Sequence, residues 1–143
     1  MAFVEWQSTM SVGVLAIDQQ HTHLLEIMSN LHEVMARGGK PAEVSTVLEE
    51  VISYARQHFA YEEQLLERSN FPDLEDHKKK HKAMFTEVEL YLERSKQGST
   101  TVSFQLMTFL KGWVVKHIMQ TDKAYSAHLA KAPTGAGMSI SRS

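Results

Sequence analysis

The chain contains no cysteine among its 143 residues. This absence excludes disulfide bonds, thiolate zinc sites, iron–sulfur clusters and cysteine nucleophiles. No apolar run approaches the ~20 residues that a membrane-spanning helix needs. The 15 basic and 17 acidic residues nearly cancel, which gives no electrostatic reason to expect a nucleic acid or an anionic membrane as a partner. We therefore expect a cytoplasmic protein with no membrane span and no nucleic-acid partner.

Length and composition favour one globular domain. Apolar residues make up 43% of the chain and charged residues 22%, a balance that is typical of folded proteins and not of disordered ones. At this length, folding buries roughly 68–70% of the surface of the unfolded chain. We expect residues 1–131 to form that domain and residues 132–143, which are mostly small and polar, to form a short disordered tail.

Apolar residues recur at helical spacing in four segments. The four stripes lie within 17–35, 44–65, 77–92 and 106–118. Gly38 and Gly39 end the first, and Pro41 suits the first turn of the next helix. Residues 69–73 predict a turn, with Asp73 a cap for the third helix. Four helices with short connections predict an all-α, antiparallel up-down four-helix bundle, on which the first ~17 residues pack as an arm.

Eight histidines are an unusual number for so short a chain. Five of them lie on the stripes assigned to the core: His21, His58, His77, His81 and His117. A buried imidazole needs partners for its ring nitrogens, and a single one is usually a satisfied core residue. A bundle core cannot hydrate five imidazoles, and a metal is the partner that satisfies several at once.

The spacing of these residues strengthens the metal hypothesis. His58 and Glu62 are four residues apart, as are His77 and His81, so each pair projects from one helix face. Glu62 is an acid on an apolar stripe, and a buried carboxylate is costly unless it is paired or binds a metal.

The fourth helix offers a less regular pair. Asp122 follows His117 by five residues, which is ~140° around an ideal helix. Either the helix is locally wide, as in a π-bulge, or the Asp122 side chain reaches round. With this pair the cluster has five imidazoles and two carboxylates. Seven ligands are too many for one metal ion, but they suit two ions that share both carboxylates as bridges. Nitrogen and oxygen donors suit iron, with manganese, zinc or cobalt as substitutes.

Four motifs now stand in order along the chain. They are Val12-Gly13-Val14…Ile17-Asp18-Gln19-Gln20-His21, His58-x3-Glu62, His77-x3-His81 and His117-x4-Asp122. Together they resemble the hemerythrin family, specifically the single-domain bacterial hemerythrins, and the resemblance extends over residues 1–131. It implies a non-heme di-iron centre with an oxo or hydroxo bridge that binds O2 reversibly.

The resemblance also implies a role for each ligand. One iron, coordinatively full, is held by His77, His81 and His117, and the other, open to O2, is held by His21 and His58. Glu62 and Asp122 bridge the two irons. Reversible binding requires a dry pocket, and we expect its wall to include Leu24, Val114 and Ile118, which lie within one turn of ligands.

Three functional classes follow from this resemblance. We expect a monomeric oxygen carrier or store, not an enzyme, that delivers O2 to an oxygen-using enzyme, since no signalling domain follows the fourth helix. The alternatives are an O2 or redox sensor module and a di-iron peroxidase or nitric oxide-handling enzyme. The enzyme would need an acid–base group near the open iron, and the sequence places no spare His, Glu or Tyr there; Tyr125 receives no assignment.

Overall fold

The computed structural model describes residues 4–95 and 100–131, and within these ranges the regular structure is entirely helical. The α-helices are α1 (Leu15–Ala36), α2 (Pro41–Arg68), α3 (Leu74–Ser95), α4 (Thr100–Lys116) and α5 (Lys123–Lys131). A π-helical segment, His117–Asp122, joins α4 to α5, so that the three form one continuous fourth helix of the bundle. The predicted all-α four-helix bundle is confirmed, and the predicted tail, 132–143, lies outside the described residues.

The first two helices end in the same way. After α1, Gly38 has a φ of +76°, its N–H donates to the carbonyl of Met35, and the next N–H donates to that of Val34. After α2, Asn70 has a φ of +57° and makes the equivalent bonds with its successor. Both are Schellman motifs, which favour glycine or asparagine at the left-handed position. The sharp ends allow short connections.

Short connections over 37–40 and 69–73 make neighbouring helices antiparallel. Pro41 is the first residue of α2, and α3 begins directly after Asp73, whose carbonyl accepts the N–H of His77 at 3.0 Å. Helix α1 packs on α2, α2 on α3, α3 on α4 and α4 on α1, which closes the bundle. No helix within the described ranges is long and apolar enough to cross a membrane.

An arm precedes the bundle, as expected, and contains a 3-10 turn at Ser8–Met10. It is shorter than the predicted ~17 residues, because α1 already begins at Leu15. Val4 exchanges two hydrogen bonds with the hydroxyl of Ser29 on α1. The N–H of Val12 donates to Asp18 of α1 at 2.9 Å, and its carbonyl accepts from the hydroxyl of Ser126 on α5 at 2.8 Å. The arm therefore ties the start of the first helix to the end of the fourth.

Candidate metal centre

The seven residues predicted as metal ligands come together in the middle of the bundle. One lies on α1, two on α2, two on α3 and two on the π-helical segment: His21, His58, Glu62, His77, His81, His117 and Asp122. None is more than 5% exposed. Four elements that are distant in sequence thus bring five imidazoles and two carboxylates into one buried cluster.

Glu62 lies between the two pairs that have helical spacing. Its Oε2 is 3.5 Å from Nε2 of His58, one turn earlier on α2. Its Oε1 is 2.8 Å from Nε2 of His77 and 3.1 Å from Nε2 of His81. The two oxygens of this carboxylate therefore face different groups of histidines.

Asp122 reaches the cluster because the helix is locally wide. His117 and Asp122 are the first and last residues of the π-helical segment, and Nε2 of His117 is 3.0 Å from Oδ1 of Asp122. An ideal α-helix would separate residues five apart by ~140°. The π-turn reduces that separation, so of the two explanations for the spacing the locally wide helix is the one observed.

The donor atoms form two overlapping sets, and within each set all atoms lie within 4.8 Å of one another. The larger set contains Glu62, His77, His81, His117 and Asp122. The smaller set contains His21, His58, Glu62 and Asp122. The two carboxylates are the shared members. One side of the cluster therefore has three imidazoles and the other has two.

Several buried atoms at the cluster have no hydrogen bond. They are both ring nitrogens of His21 and both carboxylate oxygens of Asp122. Nε2 of His21 lies 3.1 Å from Oδ2 of Asp122, yet neither atom has a hydrogen-bond partner. Buried polar groups are rarely left without a partner. A metal bound between His21 and Asp122 would give these converging atoms a partner, so the residues fit such a group.

Two polar side chains hold histidines of the cluster from outside. The amide Oε1 of Gln20 is 2.6 Å from Nδ1 of His58. The carboxylate Oε2 of Glu63 is 2.7 Å from Nδ1 of His81. Both partner atoms accept hydrogen bonds only, so Nδ1 of each ring carries the proton and Nε2 presents its lone pair to the cluster.

Tyr125 is a third partner, which sequence reasoning did not place. It is fully buried on α5, and its hydroxyl donates to Oε2 of Glu62 at 2.8 Å. A spare tyrosine therefore does lie at the centre, contrary to the expectation. The sequence contains one indication of this role, because Tyr125 follows Asp122 by three residues and so lies on the same face of the helix. The contact of its hydroxyl with Glu62, however, depends on the register between helices.

Aromatic rings fix the planes of two imidazoles. Phe59 stacks on His81 with ring centroids 3.7 Å apart and an interplanar angle of 2°. Trp113 stacks on His117 at 4.2 Å and 13°. Phe59 directly follows His58 in sequence, and Trp113 lies one turn before His117. The rings restrict rotation of the histidines and cover the side of the cluster towards the apolar core.

The surrounding imidazoles keep both carboxylates ionised. Burial alone would raise the pKa of Asp122, but the facing rings of His117, His21 and His77 hold that pKa well below its usual value. Burial and the charge of Asp122 likewise oppose ionisation of Glu62, but the histidines around it lower its pKa. Two buried negative charges are thus available to a cation.

The pKa values of the histidines shift in opposite directions. Burial lowers the pKa of His58 to about 4 and also lowers that of His117. For His77, burial is outweighed by the nearby carboxylates of Asp122, at 3.2 Å, and Glu62, at 2.8 Å, which raise its pKa to about 9. In the metal-free protein at pH 7, His77 therefore carries a proton while His58 is a neutral donor.

The expected pocket residues lie in the apolar core. Leu24, Val114 and Ile118 are all buried in the larger of the two apolar clusters of the bundle. Leu24 is one turn beyond His21, and Val114 is one turn before His117. Their positions are compatible with a wall around the metal centre.

Comparison with known proteins gives consistent matches. The family model described as the hemerythrin HHE cation binding domain matches residues 12–129. Bacteriohemerythrin of Stenotrophomonas maltophilia (strain R551-3) is 36% identical over 133 residues, which cover 90% of this chain and 86% of that protein. Bacteriohemerythrin of Pseudomonas aeruginosa (strain LESB58) is 33% identical over 125 residues, which cover 87% and 80%.

A solved structure agrees in fold. A crystal structure of wild-type hemerythrin matches with a TM-score of 0.76 at 24% identity, over 90% of this chain and 99% of that one. At this identity the likeness concerns the fold, and the family model and the relatives at 33–36% identity carry the assignment. The chain belongs to the hemerythrin family.

Proposed function

We propose that this protein binds O2 reversibly at a non-heme di-iron centre and acts as an oxygen carrier or store that can release O2 to an oxygen-using enzyme. The observation that carries the proposal is the pair of overlapping donor sets that share Glu62 and Asp122. Family membership supports the same proposal, because the family model that matches residues 12–129 is described as a cation binding domain.

The donor sets support one partition of the ligands. His77, His81 and His117 would hold one iron, and His21 and His58 the other. Glu62 and Asp122 would bridge the two, because each carboxylate is a member of both sets. The two-histidine side has fewer protein donors and would keep the open position. A bound iron pair would supply reversible two-electron chemistry toward O2.

The protein's own residues would control what reaches that position. Leu24, Val114 and Ile118 are buried, and in an apolar wall they would keep water and protons away from the centre. Within such a low-dielectric pocket the charges of the two carboxylates act strongly on a cation. The hydroxyl proton of Tyr125 is directed at Glu62 and therefore not at an incoming ligand.

Reconstitution under anaerobic conditions with ferrous iron tests the proposal. The iron content should reach two per chain, and charge-transfer absorption should appear under oxygen and vanish under argon over repeated cycles. Bands that persist after purging, or oxygen uptake that continues with reductant present, would contradict reversible binding and favour a sensor or an oxidase. Failure to bind iron would contradict the proposal altogether.

A further inference from the structure

The two halves of the cluster have different partners on the outer side of their histidines. On the three-histidine side, Nδ1 of His81 faces the carboxylate of Glu63 at 2.7 Å. On the two-histidine side, Nδ1 of His58 faces the amide oxygen of Gln20 at 2.6 Å. The hydrogen bonds are similar in length, but one acceptor carries a negative charge and the other is neutral.

This difference changes how well each imidazole donates to a metal. A carboxylate that accepts the Nδ1 proton draws it away from the ring and makes Nε2 a stronger donor. A neutral amide orients the ring in the same way but does so more weakly. His81 is therefore the better electron donor of the two, although both rings present Nε2 to the cluster.

The remaining contacts reinforce the asymmetry. On the three-histidine side, stacking on Phe59 and Trp113 holds His81 and His117 in place before any metal arrives. On the other side, Nδ1 of His21 is buried without a hydrogen-bond partner. The three-histidine side therefore has three imidazoles, two of them held in place by stacking. The two-histidine side has two imidazoles, and Nδ1 of one of them has no hydrogen-bond partner.

We propose that the three-histidine set takes up its metal before the two-histidine set, and that Glu63 and Gln20 are the positioning residues that set this order. The proposal rests on the proposed function, because it concerns how the same centre is loaded. It assigns to Glu63 a role in metal affinity and not only in packing.

Titration of the metal-free chain with Co2+, followed by its visible absorption, tests the order. The parent should bind in two resolved steps, and the His21→Ala variant should retain only the tighter one. Glu63→Gln keeps an oxygen acceptor but removes the charge, and should weaken the tighter step by about 10-fold or more while the second step stays the same. Glu67→Gln, an exposed change of the same kind on α2, should alter neither step.

The reciprocal substitution separates donor strength from structural damage. Gln20→Glu should strengthen the weaker step, and the Glu63→Gln, Gln20→Glu double variant should reduce the ratio of the two stepwise affinities by about 100-fold, the product of two changes of about tenfold. An unchanged ratio in the double variant would overturn the proposal. A parent that binds no Co2+ and no ferrous iron would instead overturn the proposed function, so the two failures are distinguishable.

Discussion

The hydroxyl of Tyr125 donates a 2.8 Å hydrogen bond to Oε2 of Glu62, and both side chains are fully buried. Burial, followed by the charges of Glu62 and Asp122, raises the pKa of Tyr125 well above its usual value, so the phenol stays protonated. The bond therefore has a fixed direction: the phenol is the donor and the carboxylate is the acceptor. It links α5 to α2 across the centre of the bundle.

Replacement of Tyr125 by phenylalanine should destabilise the metal-free protein by about 1.5–3 kcal/mol, the range for hydrogen bonds to charged groups. The reason is that Oε2 of Glu62 keeps its charge but loses its donor in a place without water. Urea unfolding at pH 7 gives the difference in the free energy of unfolding. Tyr61→Phe removes a hydroxyl from an exposed position on α2 and should cost less than about 0.5 kcal/mol. Equal effects of the two variants would contradict the structural role.

The shared carboxylates lead to a prediction about metal content. His21→Ala removes a donor from the smaller set only, so one iron per chain should remain after reconstitution. Glu62→Ala removes a member of both sets and should empty both. Iron and protein assays on the purified chains measure the ratio.

Controls for this experiment come from the same helices. His23→Ala removes an exposed histidine two residues from His21 and should leave two irons bound. Glu62→Gln preserves the shape of the side chain, and it should lose both irons while the chain remains folded by circular dichroism. Parental iron content in either Glu62 variant would refute bridging by this carboxylate.

Much of the fold could be predicted because the relevant signals are local. Gly38 and Pro41 mark the end of one helix and the start of the next, and helical periodicity assigns the buried stripes. The pairs with four-residue spacing were predictable for the same reason. Any α-helix puts residues i and i+4 on one face, whatever lies opposite.

The parts of the centre that could not be predicted depend on contacts between helices. Gln20 meets His58 and Tyr125 meets Glu62 only through the rotation and register of packed helices, which a single sequence does not specify. The π-turn could be predicted only in part. The His117–Asp122 spacing required either a locally wide helix or an Asp122 side chain that reaches round, and the sequence could not distinguish the two.

Metal affinity should depend on pH through His77. Its pKa is about 9 in the metal-free protein, so at pH 7 the ring holds a proton that must leave before Nε2 can bind a metal. Raising the pH from 7 to 8 lowers the free-energy cost of that proton loss by about 1.36 kcal/mol, and Co2+ affinity should rise about tenfold. Neutral His58, with a pKa of about 4, contributes no such dependence in this range.

Isothermal titration calorimetry with Co2+ checks this prediction. Buffers of different ionisation enthalpy should reveal release of about one proton per metal bound at the tighter step at pH 7. The metal-free chain should have the same circular dichroism at pH 7 and pH 8, which shows that the fold is not what changes. Equal affinity at the two pH values would contradict a protonated His77.

The buried leucines of α1 provide a test of the dry pocket. Leu24 is one turn from His21, whereas Leu31 lies about 10 Å further along the helix axis. Both are at most 3% exposed, so Leu→Ala at either position should leave a cavity and cost about 2–5 kcal/mol. Only Leu24→Ala should admit water to the centre, and it should shorten the lifetime of the oxygenated form several-fold. Decay of the charge-transfer absorption at constant oxygen measures that lifetime. Equal lifetimes in the two variants would mean that Leu24 does not line the pocket, because the substitution is the same in both and the two buried positions lie at different distances from the centre.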